Sequence, residues 1–278
     1  MSLINAIVPK WLKQRIVREV RIPVRVPVLQ SNLLENRVAL ITGGSGAIGS
    51  AIARRFVDSG CKVIIAGRSQ ERLEACRRSI GSSNVHDIVL DIIDVASFAD
   101  KIQELENRGL MPDILVNNAG VVLSGGSYRQ GEVSEYDHVL NTNLRGTAFL
   151  SRVVADAWRK SAIRGNILNI CSTSSNRPGT SPYILSKWGM RALTLGLAKQ
   201  LIKDGIVVNG LAPGPTDTEA FVASEDNGIS CASNPSGRLV TRDEIANLAV
   251  ILVSDMARMV VGDIVYAGGG AAIVTFDD

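Results

Sequence analysis

The stretch Thr42-Gly-Gly-Ser-Gly-Ala-Ile-Gly49 decides how the rest of the chain is interpreted. It follows a short β-rich run, Val38–Thr42, and opens a segment with helical apolar spacing, Ile48–Val57. Three of its glycines fit G-x-G-x-x-G, and the strand before it and the helix after it strengthen that match. A pyrophosphate can approach backbone N–H groups at a helix N-terminus only where side chains are absent. The stretch therefore predicts a dinucleotide-binding turn.

Strand and helix patterns alternate from this turn to the end of the chain. The predicted strands are Val38–Thr42, Lys62–Ala66, Val85–Leu90, Asp113–Asn117, Gly165–Cys171, Ile206–Leu211 and Asp263–Tyr266. The predicted helices are Ile48–Val57, Gln70–Ser79, Phe98–Leu105, Glu132–Arg159, Pro182–Lys203 and Arg242–Ser254. This alternation predicts an α/β, Rossmann-type, doubly wound parallel sheet with helices on both faces. Residues 37–278 are interpreted as a single dinucleotide-binding and catalytic domain.

Composition excludes several other classes of protein. Apolar residues make up 46% of the 278 residues and aromatic residues only 4%, which suits buried parallel strands rich in Val, Ile, Leu and Ala. A net charge of +3 gives no indication of nucleic-acid binding. No apolar run reaches membrane-span length, and the four cysteines and two histidines lack metal-ligand spacing. We therefore expect a reduced, cytoplasmic protein without a metal site.

Residues 1–36 differ from the rest and are interpreted as a basic N-terminal extension. They hold six Lys and Arg residues and two Glu residues. The apolar residues between them recur at near-helical spacing up to Pro23 and Pro27, which forbid helix. A basic amphipathic segment can lie on an anionic membrane surface, so membrane contact by residues 1–30 is one interpretation. Packing on the domain or on a neighbouring subunit is favoured over it.

The end of the second predicted strand bears on the cofactor. A site for NAD usually has Asp or Glu about 20 residues past the glycines, where it holds the ribose 2′-hydroxyl. This chain has Gly67 there, followed by Arg68. Because a guanidinium attracts a 2′-phosphate, NADP is predicted, with NAD as the alternative if Arg68 is only a solvated surface residue.

Tyr183-Ile-Leu-Ser-Lys187 stands at the start of a predicted helix, so its tyrosine and lysine share one face. A free tyrosine has a pKa of about 10, and a neighbouring ammonium group favours the phenolate form. The pair is therefore a candidate general acid/base. The spacing alone is weak evidence, because Tyr and Lys often stand four residues apart by chance.

In combination these features resemble the short-chain dehydrogenase/reductase family, in its compact single-domain branch of ketoacyl reductases and related carbonyl reductases. The resemblance runs from about Arg37 to Ala272 and rests on motifs in family order. They are the glycine-rich turn at 42–49, Asp91-Ile92, Asn117-Asn-Ala-Gly120, Asn143-Leu-Arg-Gly146, Ser172, Tyr183-x-x-x-Lys187 and Pro213-Gly214. Such an ordered set is far more specific than any of its members.

The resemblance implies four catalytic residues. Tyr183 would donate or accept the proton, and Ser172 would hold the substrate carbonyl or hydroxyl. Lys187 would favour the tyrosinate and hydrogen-bond the nicotinamide ribose. Asn143 would hold a water in a proton relay. Purely structural interpretations also exist, since Asn143 can satisfy backbone groups inside a helix and Ser172 can be a turn residue.

The resemblance also implies the cofactor contacts. Asp91 would meet the adenine amino group, although it can also be a turn or cap residue. Asn117 would border the cofactor, and Thr216 and Thr218 would lie near the nicotinamide amide. The full predicted set is Gly43, Gly44, Ser45, Gly46, Ile48, Gly49, Arg68, Asp91, Ile92, Asn117, Ala119, Gly120, Tyr183, Lys187, Pro213, Gly214, Thr216 and Thr218.

Three features depart from the family pattern. Ala47 replaces the second glycine of T-G-x-x-x-G-x-G, so the turn also fits the pattern of the larger, sugar-nucleotide-modifying branch. Ser172 precedes Tyr183 by 11 residues, a short gap that leaves Ser174 or Ser175 as alternative substrate contacts. Gly268 replaces the Asp that is common before the final glycine pair.

The predicted function is NADP-dependent interconversion of a small-molecule carbonyl and a secondary alcohol by a homodimer or homotetramer. Residues 219–237 are predicted to cover the substrate. One alternative is a sugar-nucleotide epimerase or dehydratase, against which the shortness of that segment argues. The other is a non-catalytic nucleotide sensor, against which the intact catalytic set argues.

Overall fold

A seven-stranded parallel sheet organises the part of the chain that this computed structural model describes, residues 32–122, 131–218 and 228–271. The strands are β1 Val38–Thr42, β2 Lys62–Gly67, β3 Val85–Val89, β4 Ile114–Asn117, β5 Asn166–Ile170, β6 Val207–Pro213 and β7 Ile264–Ala267. Their order is β3-β2-β1-β4-β5-β6-β7. The predicted doubly wound parallel sheet is confirmed. Residues 1–31 and 219–227, which include most of the predicted extension and half of the predicted cover, lie outside the described ranges.

Helices cover both faces of the sheet. They are α1 Ala47–Asp58, α2 Gln70–Ile80, α3 Phe98–Asn107, α4 Val133–Leu140, α5 Gly146–Lys160, α6 Pro182–Leu201 and α7 Arg242–Val253. Successive strand residues point to opposite faces. Ile41 packs in the core under α1, α2 and α7, while its neighbour Leu40 packs in the core under α3, α5 and α6. Two hydrophobic cores therefore hold the sheet between helical layers.

The predicted single helix Glu132–Arg159 is wrong in detail. Helices α4 and α5 are joined through a π-helical turn, Asn141–Arg145. A π turn widens the helix by one residue per turn and is often found at functional sites. Asn143 lies inside this turn, so the family motif that contains it coincides with the irregularity.

Arg37 joins three strands at the edge of the sheet opposite the glycine-rich turn. Its Nε contacts the Asp113 carboxylate just before β4, and its Nη2 donates to Asn166 Oδ1 at the start of β5, at 2.9 Å. Asp113 Oδ1 also accepts from the backbone N–H of Val38, at 2.9 Å. We call these contacts the Arg37 clasp.

The predicted domain boundary at residue 37 stays a prediction, and the residues just before it contact the domain. Leu34 is fully buried in the core beneath α1. Its backbone N–H donates to the carbonyl of Ser59, at 3.0 Å. Leu34 therefore anchors the described end of the predicted extension to the domain.

Candidate functional site

The glycine-rich turn between β1 and α1 has no room for side chains at its most crowded positions. Gly43 has φ +62°, and a methyl group on it would lie 3.0 Å from Ala119 Cα. A methyl group on Gly49 would overlap the carbonyl oxygen of Gly43 and lie 2.7 Å from Asn118 Nδ2. One on Gly44 would lie 2.7 Å from Ile65 Cβ. Close packing therefore fixes the path of the turn.

The turn leaves the N-terminus of α1 open to an anion. Gly46 is the N-cap residue and supplies no side-chain hydrogen bond. The first turn of α1 contains no acidic residue. The first N–H groups of a helix have no partners within the helix and carry partial positive charge. A dinucleotide pyrophosphate fits this cradle, in which Ser45 and Ile48 also lie.

Asn118, which the sequence analysis did not select, braces the turn from β4. Its Nδ2 donates to the backbone carbonyls of Thr42 and Gly43, at 3.0 and 3.1 Å. In return, Thr42 Oγ1 accepts from the backbone N–H groups of Asn118 and Ala119, both at 3.0 Å. The second Asn of Asn117-Asn-Ala-Gly120 was the available signal, since it follows a buried strand at the same edge as the turn.

The side chain of Asn117 lies in the interior, away from this turn. Its Nδ2 donates to Ser151 Oγ at 2.9 Å and to Asn169 Oδ1 at 2.8 Å. The amide of Asn169 continues this buried network to Thr194 Oγ1. The amide nitrogen of Asn117 is therefore used within the core, and its predicted contact with the cofactor stays a prediction.

The predicted adenine contacts follow β3 and β2. Asp91 Oδ1 accepts from the backbone N–H of Ile93 at 3.1 Å, the local turn contact that was the structural alternative, and Ile92 is buried. Arg68 is exposed, and its guanidinium has no hydrogen bond or ion pair with any described residue. A methyl group on Gly67 would lie 3.8 Å from Ser45 Oγ, so the end of β2 faces the glycine-rich turn.

Tyr183 and Lys187 lie in the first turns of α6. This helix starts where Ser181 Oγ caps the backbone N–H of Ile184 at 3.3 Å and Pro182 takes the first helical position. Lys187 is buried, and its Nζ donates to the carbonyl oxygen of Ile170, at the end of β5, at 2.9 Å. The same Nζ lies 5.7 Å from the centre of the Tyr183 ring.

Polar contacts distinguish the three candidate serines that follow β5. Ser175 is fully buried and donates its hydroxyl to the carbonyl of Ser172, at 2.7 Å. Ser172 Oγ accepts from the backbone N–H of Ser174, at 3.1 Å. Because that contact uses the oxygen as acceptor, the O–H of Ser172 remains free to donate.

Asn143 is almost completely buried, and its amide is heavily used. Oδ1 accepts from the backbone N–H of Val121 at 2.8 Å, while Nδ2 donates to the carbonyl of Val121 and to Ser186 Oγ, both at 3.0 Å. Ser186 Oγ in turn donates to the backbone carbonyl of Tyr183, at 2.7 Å. Asn143 therefore joins the loop after β4, the π turn and the start of α6. Ser186 was missed because a serine inside a helix has no distinctive spacing.

The loop after β6 packs against the end of β7 with no space for side chains. Pro213 is the last residue of β6, and Gly214 begins the loop. A methyl group on Gly214 would lie 2.6 Å from Gly268 Cα, and one on Gly268 would lie 2.5 Å from Thr173 Cγ2. The Asp of the family pattern would therefore require the side chain of Thr173 to move.

The predicted nicotinamide contacts in this loop are already partly used within it. Thr216 Oγ1 donates to the carbonyl of Gly214 at 2.9 Å, and the backbone N–H of Thr218 donates to the carbonyl of Thr216 at 2.7 Å. Thr216 is buried, whereas Thr218 is partly exposed. The side chain of Thr218 is therefore the more accessible of the two.

The described ranges contain no cluster of His, Cys, Asp and Glu suited to a metal ion. They also contain no helix long and apolar enough to cross a membrane. The four cysteines are unpaired, and burial raises the pKa of the Cys171 thiol. Cys171 thus packs as a small hydrophobic residue. The cytoplasmic location stays a prediction.

Comparison with known proteins gives a consistent result. A family model described as enoyl-(acyl carrier protein) reductase matches residues 43–272. The 3-oxoacyl-[acyl-carrier-protein] reductase of Escherichia coli (strain K12) is 33% identical, over 86% of this chain and 99% of the relative. Gluconate 5-dehydrogenase of Gluconobacter oxydans (strain 621H) is 32% identical, over 84% of this chain and 94% of the relative. The crystal structure of a short-chain dehydrogenase from Bacillus anthracis is similar at a TM-score of 0.78 and 31% identity, over 86% of this chain and 98% of the other.

Proposed function

This chain belongs to the short-chain dehydrogenase/reductase family, an NAD(P)-dependent oxidoreductase family, and from that premise we propose its specific chemistry. We propose that it interconverts a small-molecule carbonyl and a secondary alcohol, with Tyr183 as general acid/base and NADP(H) as cofactor. Its relatives above are reductases and dehydrogenases, which supports carbonyl/alcohol chemistry over the epimerase and sensor alternatives.

The burial of Lys187 without a counter-charge is the observation that supports the proposal most. Its ammonium is buried at 7% exposure, and no carboxylate among the described residues lies within ion-pair distance. A buried charge without a counter-charge is costly, so it indicates a functional demand. Only one of its three donors is used, by the carbonyl of Ile170, which leaves donors for a ribose hydroxyl and for the neighbouring tyrosine.

The proton-handling groups can be assigned from their contacts. Bound NADP(H) supplies or accepts the hydride. Ser172 donates its free O–H to the substrate oxygen, where negative charge develops during reduction. Tyr183 delivers the proton to that oxygen, since its hydroxyl has no hydrogen-bond partner among the described residues. Lys187 stabilises the resulting tyrosinate.

Asn143 has one position left for a relay water. Both Nδ2 hydrogens are used, by Val121 and Ser186, and Oδ1 accepts from the backbone of Val121. A carbonyl oxygen has two lone pairs, so the second lone pair of Oδ1 is available. We propose that the relay water donates a hydrogen bond there.

The preference for NADP(H) is supported by the end of β2. Arg68 has no acidic partner among the described residues, and Gly67 presents no carboxylate that would repel a 2′-phosphate. We expect Gly67→Asp to weaken NADPH binding and strengthen NADH binding, and Arg68→Ile to weaken NADPH alone. Titration of the protein with each cofactor measures both effects. Equal use of NADH and NADPH by the unaltered protein would contradict this part of the proposal.

Oxidation of NADPH with a panel of simple ketones tests the reaction. An oxidoreductase turns over stoichiometrically with ketone. An epimerase or dehydratase retains its cofactor without net oxidation, and a sensor binds cofactor without turnover.

We also propose a homodimer or homotetramer, because Leu185, Trp188 and Leu195 leave exposed apolar surface on α6. Light scattering on the full chain would test that assembly.

A further inference from the structure

A groove of about 580 Å³ lies beside the glycine-rich turn, between helices α1 and α2. Ser45, Ala51 and Arg54 line one wall, and Arg72, Ala75 and Cys76 line the other. Since Ser45 Oγ lies only 3.8 Å from where a methyl group on Gly67 would stand, the groove opens next to the end of β2. It therefore borders the place proposed for the 2′-phosphate.

The two carboxylates that line this groove are both neutralised. Asp217 pairs with Arg242, at 3.4 Å between Oδ1 and Nε. Asp243 pairs with Arg55, at 3.6 Å between Oδ1 and Nη2. Neither acid therefore offsets the arginines on the opposite walls near the glycine-rich turn.

Those arginines have no acidic partner among the described residues. Arg54 donates to the backbone carbonyl and hydroxyl of Ser79, at 3.1 and 3.3 Å. The guanidinium of Arg72 has no hydrogen bond or ion pair with a described residue. The groove thus has uncompensated positive charge on both walls.

Arg72 is also unfavourably placed for the stability of its own helix. It is the third residue of α2, and its backbone N–H is capped by Ser69 Oγ at 3.3 Å. Positive charge near a helix N-terminus opposes the helix dipole, and Arg68 stands just ahead of the same turn. Glu71 is acidic in this turn but does not line the groove. A bound anion would offset both unfavourable charges.

We infer that Arg72 is a second ligand of the 2′-phosphate of NADP(H), acting with Arg68 and Ser45. This rests on the proposed use of NADP(H). Ser45 and Arg72 both line the groove, and Arg68 directly follows β2, whose last residue Gly67 lies next to Ser45. Two planar guanidinium groups match a phosphate monoester well, because each can form paired hydrogen bonds with its oxygens.

Binding of adenine nucleotides without the nicotinamide tests the inference apart from catalysis. The full chain is titrated calorimetrically with 2′-AMP, 5′-AMP, NADPH and NADH. We expect Arg72→Gln to weaken 2′-AMP and NADPH roughly tenfold, the scale of one charge-assisted hydrogen bond, and 5′-AMP and NADH less than about twofold. Arg72→Lys should fall between, because it keeps the charge but loses the planar fork.

Arg78→Gln is the matched control, because it removes the same charge from the same helix. Arg78 pairs with Glu74, at 3.7 Å, and does not line the groove. We expect it to change no affinity by more than about twofold. If both substitutions weaken NADPH equally, the effect is one of general charge and the inference is wrong.

Two further results would overturn the inference in distinguishable ways. If the unaltered protein prefers NADPH but Arg72→Gln leaves its affinity for NADPH and 2′-AMP intact, the proposed function stands and the role of Arg72 falls. If the unaltered protein binds NADPH and NADH equally, the cofactor preference itself fails.

Inorganic phosphate is the last probe. Competition with 2′-AMP supports a shared site, whereas binding without competition would make the groove a separate anion site.

Discussion

In the proposed reaction, the glycine-rich turn and the start of α6 would contribute by opposite means. At the turn, the surroundings of Gly43 and Gly49 leave no space for side chains. Asn118 donates hydrogen bonds to the backbone carbonyls of the turn. At α6, the important atoms are those that packing leaves unused, namely the hydroxyl of Tyr183 and two donors of Lys187. One region works through shape and the other through spare hydrogen-bonding capacity.

This difference means that binding and chemistry should separate on mutation. A side chain added at the turn acts sterically on the cofactor cradle. A polar group removed at α6 leaves the cradle in place and removes a proton or a charge. Cofactor affinity and turnover at saturating cofactor are therefore the two quantities to compare in each variant.

Tyr183→Phe is expected to have the largest effect on turnover alone. The substitution keeps the ring and removes only the hydroxyl, so the fall should be roughly a hundredfold or more, the usual scale of general acid catalysis. Cofactor affinity, followed by fluorescence titration, should stay near that of the unaltered protein. Near-normal turnover on the natural substrate would mean that the chemistry is assigned to the wrong residue.

Lys187 should be the exception to the separation. Because one ammonium is proposed to serve both the tyrosine and the ribose, Lys187→Ala should lower turnover by roughly tenfold to a hundredfold and weaken cofactor binding as well. Lys187→Arg should not restore full activity, since a guanidinium differs in shape and reach. Both the turnover number and the dissociation constant of the cofactor must be measured. A loss confined to turnover would contradict the proposed contact with the ribose.

The serines of the loop after β5 allow a finer test. Ser172→Ala should lower turnover roughly tenfold to a hundredfold by removing a donor to the developing oxyanion. Ser174→Ala should have a smaller effect. Ser175→Ala should act mainly on stability, by about 1 kcal/mol, because its hydroxyl is already bonded to a buried carbonyl. Steady-state kinetics and urea unfolding of all three variants give the ranking, which a larger kinetic loss in Ser175→Ala would reverse.

Gly49→Ala should show the complementary behaviour at the turn. Its methyl group must displace the Gly43 carbonyl, an overpacking change that we expect to weaken NADPH binding about tenfold. Turnover at saturating NADPH should change little. Gly196→Ala is the control, because that exposed helical position has nothing within 4 Å of the added methyl group. It should leave binding unchanged and stabilise the protein by about 0.5–1 kcal/mol.

Glu244 belongs to neither region and should have the smallest effect, on stability alone. Hydrogen bonds from Arg238, at 2.7 and 2.9 Å, lower the pKa of Glu244 to about 2, and Thr241 adds further bonds. A carboxyl whose folded-state pKa is depressed stabilises the fold above its unfolded value of about 4.3 and loses that contribution as pH falls toward 2. Glu244→Gln should therefore cost at most about 1 kcal/mol at pH 7 and much less near pH 2.5. Urea unfolding at both pH values measures this, and an equal cost at the two would contradict the assignment.

Much of the fold was predictable because strand and helix periodicities are local properties. β1 begins and ends at the predicted residues, Val38 and Thr42, and α7 begins at the predicted Arg242. The π turn in Asn141–Arg145 was not predictable, because its apolar spacing resembles that of a helix. Its position depends on what the two flanking helices pack against.

The site was predictable where a residue type implies chemistry and not where only direction matters. Tyr183 and Lys187 were selected by their spacing together with the family resemblance, and the structure places Lys187 Nζ 5.7 Å from the centre of the Tyr183 ring. Asn117 and Asn118 are adjacent and identical in sequence, yet one turns into the core and the other braces the turn. That choice depends on the pleat of β4 and on which strands flank it, which only the assembled sheet determines.

The Arg37 clasp has a consequence for how the protein is made. It links residues 129 positions apart in the chain, because Arg37 bonds to Asn166. At a synthesis rate of about 5–20 residues per second, roughly ten seconds pass between the emergence of its two ends from the ribosome. During that interval the interior strand β1 lacks its β4 neighbour for most of the time. The clasp can therefore close only after β5 has begun to emerge, well after β1 itself.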